Sequence, residues 1–247
     1  MKSKIKIERA PTGIPGFDEL VYGGIPSGSV VCITGPPGSA KTLFSMQFIC
    51  NGIARNGEHG LYITLEERRD SLVKGMASFG LEIEEYEREG LLTLVDMVEI
   101  RKMTSVKERL EKRVMMFGAL QALLENMLKT SKAKRLVVDS IVGLALPYPS
   151  PEEMREDMFR FATFLQEKGV TSLLITESVN EAGDKTRYGF EQFIGDGFIV
   201  LGQERIAGDM KRTISVRKMR FTKHGTGVHP FLITSSGIEV SSEERVG

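Results

Sequence analysis

Tryptophan is absent from the 247 residues, and that absence by itself excludes no function. Cysteine is scarce: Cys32 and Cys50 stand alone. Neither belongs to a CxxC or Cys/His spacing, which argues against a disulfide framework and a thiolate metal site. Both fall in apolar stretches, where buried free thiols are expected. Net charge is missing as well, with 33 Lys+Arg set against 33 Asp+Glu. No global field therefore draws the chain to nucleic acid or anionic lipid, and any such role must rest on a local patch. No apolar run reaches membrane-spanning length. The opening Met1-Lys2-Ser3-Lys4-Ile5-Lys6 is basic, without the apolar segment of a secretory leader. The expected location is the cytoplasm, with no membrane partner.

The apolar content of 41% is ordinary for a core-forming protein, and the length suits one large α/β domain. Its most informative stretch is Gly35-Pro36-Pro37-Gly38-Ser39-Ala40-Lys41-Thr42. An apolar run, Ser29–Thr34, precedes it, and Leu43-Phe44-Ser45-Met46-Gln47-Phe48-Ile49 follows. That order predicts strand, glycine-rich turn and helix, which is what a phosphate-binding loop requires. Small residues let backbone N–H groups curl around phosphate oxygens, and the helix N-terminus adds partial positive charge. Lys41 would reach the β- and γ-phosphates, and the Thr42 hydroxyl would hold Mg²⁺. ATP and Mg²⁺ are the cofactors this pattern implies, with residues 35–43 as the phosphate cradle. Ala40 departs from the pattern, because glycine normally precedes the lysine. A methyl is a small intrusion, and alanine is expected to suit a helix start.

Turn signals and apolar anchors alternate over residues 11–29, predicting a short helix around Pro15–Leu20 and a tight approach to the first core strand. The helix after the loop is expected to run to about Arg55, stopped at Asn56-Gly57. Further strands are predicted at Gly60–Leu65, Leu91–Asp96, Arg135–Ser140 and Val170–Glu177. A helix with Asp70 or Ser71 as cap and Gly80 as stop follows the first of these. Residues 82–90 read as an acidic surface connection. Residues 101–113 carry six basic and two acidic side chains, leading into a long helix to about Lys129. Ser150-Pro151-Glu152-Glu153 opens another helix, ending at Lys168-Gly169. The tail from Phe198 to Val240 reads as strands in hairpins. Alternating strands and helices predict a mainly parallel central sheet flanked by helices, as one domain: a segment 1–28 leading into a core of about 29–240.

Several charged residues fall at predicted strand ends. Asp139 closes an apolar strand, where a carboxylate would orient a water on Mg²⁺, or would serve only as a cap. Glu66-Glu67 close the strand after the loop helix. Such a pair either supplies the base that polarises an attacking water or forms a solvated turn into a helix. Glu177 has the same two readings, phosphate sensor or solvated end. Lys218-Met219-Arg220 lie within Arg205–Lys223, a window of seven basic residues against one acid. Its cations would stabilise developing phosphate charge, or guard an edge strand.

Taken together, these stretches resemble the KaiC-like branch of the RecA superfamily of P-loop ATPases. The likeness runs from Thr12 to about Val240. It rests on Thr12-Gly13-Ile14-Pro15-Gly16-Phe17-Asp18-Glu19-Leu20, Gly23-Gly24-Ile25-Pro26-Ser27-Gly28, Tyr62-Ile63-Thr64-Leu65-Glu66-Glu67 and Lys218-Met219-Arg220. The resemblance implies a RecA-like fold and a homo-oligomeric ring, commonly a hexamer, with ATP bound between protomers. It makes Glu66 and Glu67 the catalytic pair and sends Lys218 and Arg220 into the adjacent subunit's site. It also implies a single-domain version of a protein whose clock member has two such domains in tandem. The clock protein's Ser/Thr phosphorylation pair has no counterpart near Lys223-His224-Gly225-Thr226-Gly227, so no circadian role is inferred. A DNA-handling ATPase is the alternative, through Lys185, Arg187, Tyr188 and Phe190 of loop 181–192 or the patch at 101–113. A nucleotide-binding scaffold with little turnover, presenting a surface to an unidentified protein client, is the other.

Overall fold

The computed structural model describes residues 7–98, 117–144, 148–206 and 208–246. The basic stretch 101–113 lies outside them. In chain order the strands are β1 (Arg9–Ala10), β2 (Ile25–Pro26), β3 (Val30–Thr34), β4 (Gly60–Thr64), β5 (Leu92–Asp96), β6 (Arg135–Asp139), β7 (Thr171–Ile175), β8 (Gly197–Ile206), β9 (Asp209–Met219), β10 (Val228–Thr234) and β11 (Gly237–Val240). The described helices are α1 (Phe17–Leu20), α2 (Lys41–Asn56), α3 (Arg69–Ala77), α4 (Ile83–Arg88), α5 (Phe117–Ser131) and α6 (Pro151–Lys168).

Nine strands form one sheet in the order β11-β10-β9-β8-β3-β7-β6-β4-β5. The block from β8 to β5 is parallel, and β9, β10 and β11 continue it antiparallel. Every residue of β3, β4 and β7 is buried. That explains their largely apolar character, since both faces are covered. Alternate residues feed two layers: Val31 and Ile33 pack with α2 residues Phe44 and Phe48, while Val30 and Cys32 pack with Phe161 and Leu165 of α6. Burial pushes both the Cys32 and Cys50 thiols up to about 12, which leaves them as protonated core residues.

Local chemistry explains the element ends. Asp18 accepts hydrogen bonds from the Thr12 and Gly13 amides and the Thr12 hydroxyl, at 2.8–2.9 Å, and so shapes the turn before α1. Ser150 accepts from the Glu153 amide at 3.2 Å to start α6, with Pro151 in its first turn. Gly57 and Gly169 close α2 and α6 in the left-handed region. Two expectations need correction. Residues 83–88 are the helix α4, because Ile83 is buried and anchors it to the core. The residue capping α3 is Arg68, extended and with no side-chain cap bond; Asp70 and Ser71 already lie inside the helix.

A buried arginine ties these layers together. Arg135 opens β6 and is 0% exposed. Its guanidinium bonds Glu58 at 2.6 Å and the Pro11 and Phe48 carbonyls at 2.7 Å, and stacks 4.6 Å from the Phe48 ring centroid. Gly52 of α2 makes room for it, since a Cβ there would fall on the guanidinium. Gly52→Ala supplies a better helix former worth about 1 kcal/mol. It also displaces a buried charge from its partners, at about 3 kcal/mol or more. The second effect wins, so denaturant unfolding of this variant should show a net loss of roughly 2 kcal/mol.

Candidate active site

Parallel strands end on the same side of a sheet, so β3, β4, β6 and β7 deliver their following residues to one edge. There the loop after β3 turns into α2. Gly35 is buried, and a Cβ on it would fall on the Leu201 carbonyl and the Ser39 hydroxyl, so only glycine fits. Ser39 N–H closes a turn onto Pro36 O at 3.2 Å, while Pro37 and Gly38 form the exposed rim. No side chain caps the start of α2, and the first amides of any helix lack intrahelical acceptors. The Ser39 hydroxyl is buried without a hydrogen-bond partner. Lys41 lies back over the loop, its Nζ donating to Gly35 O at 2.8 Å and Pro36 O at 3.0 Å. Unpaired amides, a buried hydroxyl and a folded-back ammonium fit a phosphate chain.

Beside Lys41, the Thr42 hydroxyl donates to Asp139 Oδ2 at 2.9 Å. Tyr62 of β4 donates to the same oxygen at 2.7 Å. Burial pushes the Asp139 carboxyl above the usual carboxylate range, against the two hydrogen bonds and the Lys41 charge, which pull it down. Burial pushes Lys41 down, against Asp139, Glu177 and Glu66, which raise it. Both charges are thus under-compensated in the protein alone. Among the described residues no group of three or more His, Cys, Asp or Glu could hold a metal. One hydroxyl and one carboxylate instead suit Mg²⁺, which keeps waters and takes phosphate oxygens.

The paired glutamates part company. Glu66 accepts from the Ser140 hydroxyl at 2.7 Å, next to Asp139. Glu67 turns toward α3, accepting from the Ser71 hydroxyl at 2.7 Å, with its backbone closed onto Thr64. Glu177 pairs with Arg187 at 3.1 Å. In loop 181–192, Phe190 is buried, Tyr188 packs on the core beside it, and their rings stack at 6.0 Å. Phe190 is thus a core residue, and Tyr188 is only partly exposed.

Lys218 and Arg220 are not at this edge. Lys218 pairs with Phe198 and Met219 with Gly197, while Gly197 pairs with Val31 near the start of β3. The length of β3, roughly 15 Å at about 3.3 Å per residue, separates them from their own loop. Lys218 donates to Gly195 O at 2.8 Å, and Arg220 lies 3.5 Å from the buried Asp196. With Gln192, Phe193, Phe198 and Arg217 they line a cavity of about 460 Å³. Two residues of the site were missed in the sequence. Arg212 donates to Gly38 O at 3.2 Å, brought there by the β8–β9 pairing of Gln203 with Arg212. Tyr62 stands in the sequence between the apolar Leu61 and Ile63, which carry no signal of a polar partner.

The sheet order and the strand–loop–helix edge define a RecA-like P-loop protein. Comparison with known proteins narrows the class. The family described as ATPase: KaiC matches residues 10–245. A UPF0273 protein of Thermotoga maritima is 37% identical, over 96% of this chain and 98% of its own length. The circadian clock protein KaiC3 of Synechocystis is 38% identical over 95% of this chain, which spans only 46% of that relative. The crystal structure of a KaiC-like protein from the hyperthermophilic archaeon Pyrococcus horikoshii matches with a TM-score of 0.81 at 39% identity, covering 95% of this chain and 99% of that one. The chain belongs to the KaiC ATPase family.

Ala40 behaves differently from expectation. It sits at φ 71, ψ 26, in the left-handed region, and so does not begin the helix. The cost of alanine here is backbone strain of about 1–2 kcal/mol, more than the bulk of a methyl. Ala40→Gly should therefore stabilise the nucleotide-free protein by about 1 kcal/mol after the added freedom of the unfolded chain is subtracted, read from the urea midpoint.

Proposed function

We propose that the chain is a Mg²⁺-dependent ATPase, built as one domain of about residues 29–240 behind the segment 1–28, whose sites lie between the subunits of a homo-oligomeric ring, hexameric by family likeness. The observation that carries this reading is the 2.9 Å contact between Thr42 and Asp139, 97 positions apart, beside Lys41 at the mouth of the loop. Gly35 to Leu43 would wrap the phosphates, and Lys41 would leave its two carbonyls for the terminal phosphates. Thr42 and Asp139 would hold the metal, which when bound neutralises charge on phosphate oxygens. Glu66, the glutamate beside Asp139, is the stronger candidate for the base that orients water; Glu67 would assist from the α3 side. A role in regulation follows the same family likeness, with the client unassigned and a cytoplasmic setting.

The sharing of the site is supported by the place of Lys218 and Arg220. They cannot serve their own loop, and they flank an open cavity. A second copy bringing its loop to that cavity would meet both cations.

Lys41→Ala should weaken ATP binding roughly a hundredfold or more, since about two charge-assisted contacts are lost. Calorimetry showing unchanged affinity would remove the assignment. Arg220→Ala should cut hydrolysis about a thousandfold with nucleotide affinity largely kept. Mixing that variant with Glu66→Gln should restore part of the phosphate release, because one kind of interface in the mixed ring carries both native residues. Mixed rings confirmed by mass that stay inactive would refute the shared site.

A further inference from the structure

We infer that Tyr62 is a positioning residue for the metal: its phenol anchors the Asp139 carboxylate from the sheet, independently of the phosphate loop. This rests on the nucleotide site proposed above. Tyr62 stands directly opposite Val137 in the β4–β6 ladder, two residues before Asp139, so both side chains project from the same face toward α2. It is 0% exposed. Its hydroxyl has one proton to give, and an ionised carboxylate can only accept, so the 2.7 Å contact has one direction.

Ser45 completes the arrangement without competing for it. Its hydroxyl donates to Thr42 O at 3.0 Å and lies 3.4 Å from the phenol oxygen. Asp139 therefore receives two donors of different kinds. Thr42 belongs to the first turn of α2, the segment that must adjust around a nucleotide. Tyr62 belongs to a fully buried strand and is held by packing on every side. The sheet-borne donor fixes Oδ2 at the point where Thr42 also reaches it. Partners that orient a metal-binding group in this way typically change metal affinity 10–100-fold.

The test is Tyr62→Phe, which removes the hydroxyl and keeps the ring in the core. A fluorescent, non-hydrolysable ATP analogue is titrated into both proteins, first in EDTA and then over a series of Mg²⁺ concentrations. The expected result is an EDTA affinity within about twofold of the unaltered chain, with a roughly 10–100-fold rise in the Mg²⁺ concentration needed for half of the metal effect. Identical Mg²⁺ curves overturn the inference. An equal loss in EDTA and in Mg²⁺ overturns it too, because that pattern marks a damaged fold. An unaltered chain that fails to bind the analogue at all overturns the nucleotide site and this inference together, whereas the first two outcomes leave the nucleotide site standing.

Discussion

A half-buried carboxylate at the tip of β6 is the constraint around which the rest is arranged. Asp139 is held by Thr42 from the helix side and Tyr62 from the sheet side, with Lys41 close enough to lower its proton affinity. Burial works against both charges, raising the acid and lowering the lysine. A structure selected for stability alone would have apolar residues here. The site retains two charges of opposite sign, which the metal and phosphate of the proposed function would offset. The strained Ala40 backbone sits in the same few residues, so the cost of function is concentrated at one edge and carried by the surrounding core.

The sheet supplies that core and also decides what can meet what. Because β3, β4, β6 and β7 run parallel, their C-terminal ends converge, and Lys41, Glu66, Asp139 and Glu177 share one edge. Antiparallel β9 runs the other way, so Lys218 and Arg220 at its end belong to the opposite edge. The same strand passes Arg212 over Gly38 on its way down. One hairpin thus touches the loop after β3 near its tip and carries Lys218 and Arg220 at its base.

Much of the local structure was legible in the sequence. The strand–loop–helix at 29–49, the cap at Ser150-Pro151 and the glycine stops at Gly57 and Gly169 all follow from short-range chemistry. The continuous apolar strands announced a parallel sheet. Elsewhere a distant partner overrules a local preference. The acidic run 82–90 looked like a solvated connection, yet one buried isoleucine makes it a helix. Arg135 looked like an ordinary strand start, and is instead a fully buried arginine, because Gly52, Glu58 and Pro11 converge on it.

The candidate site divides along the same line. By itself the sequence determined the glycine-rich strand–loop–helix, the acids at strand ends and the family, since each is written in contiguous residues. The tertiary structure alone decided that Glu66 rather than Glu67 lies beside Asp139, that Tyr62 is a polar residue of the site, and that Lys218 and Arg220 face away from their own loop. Those are matters of register and of which face a side chain takes. A strand's register is set by the strands it pairs with, and they lie tens of residues away in the chain.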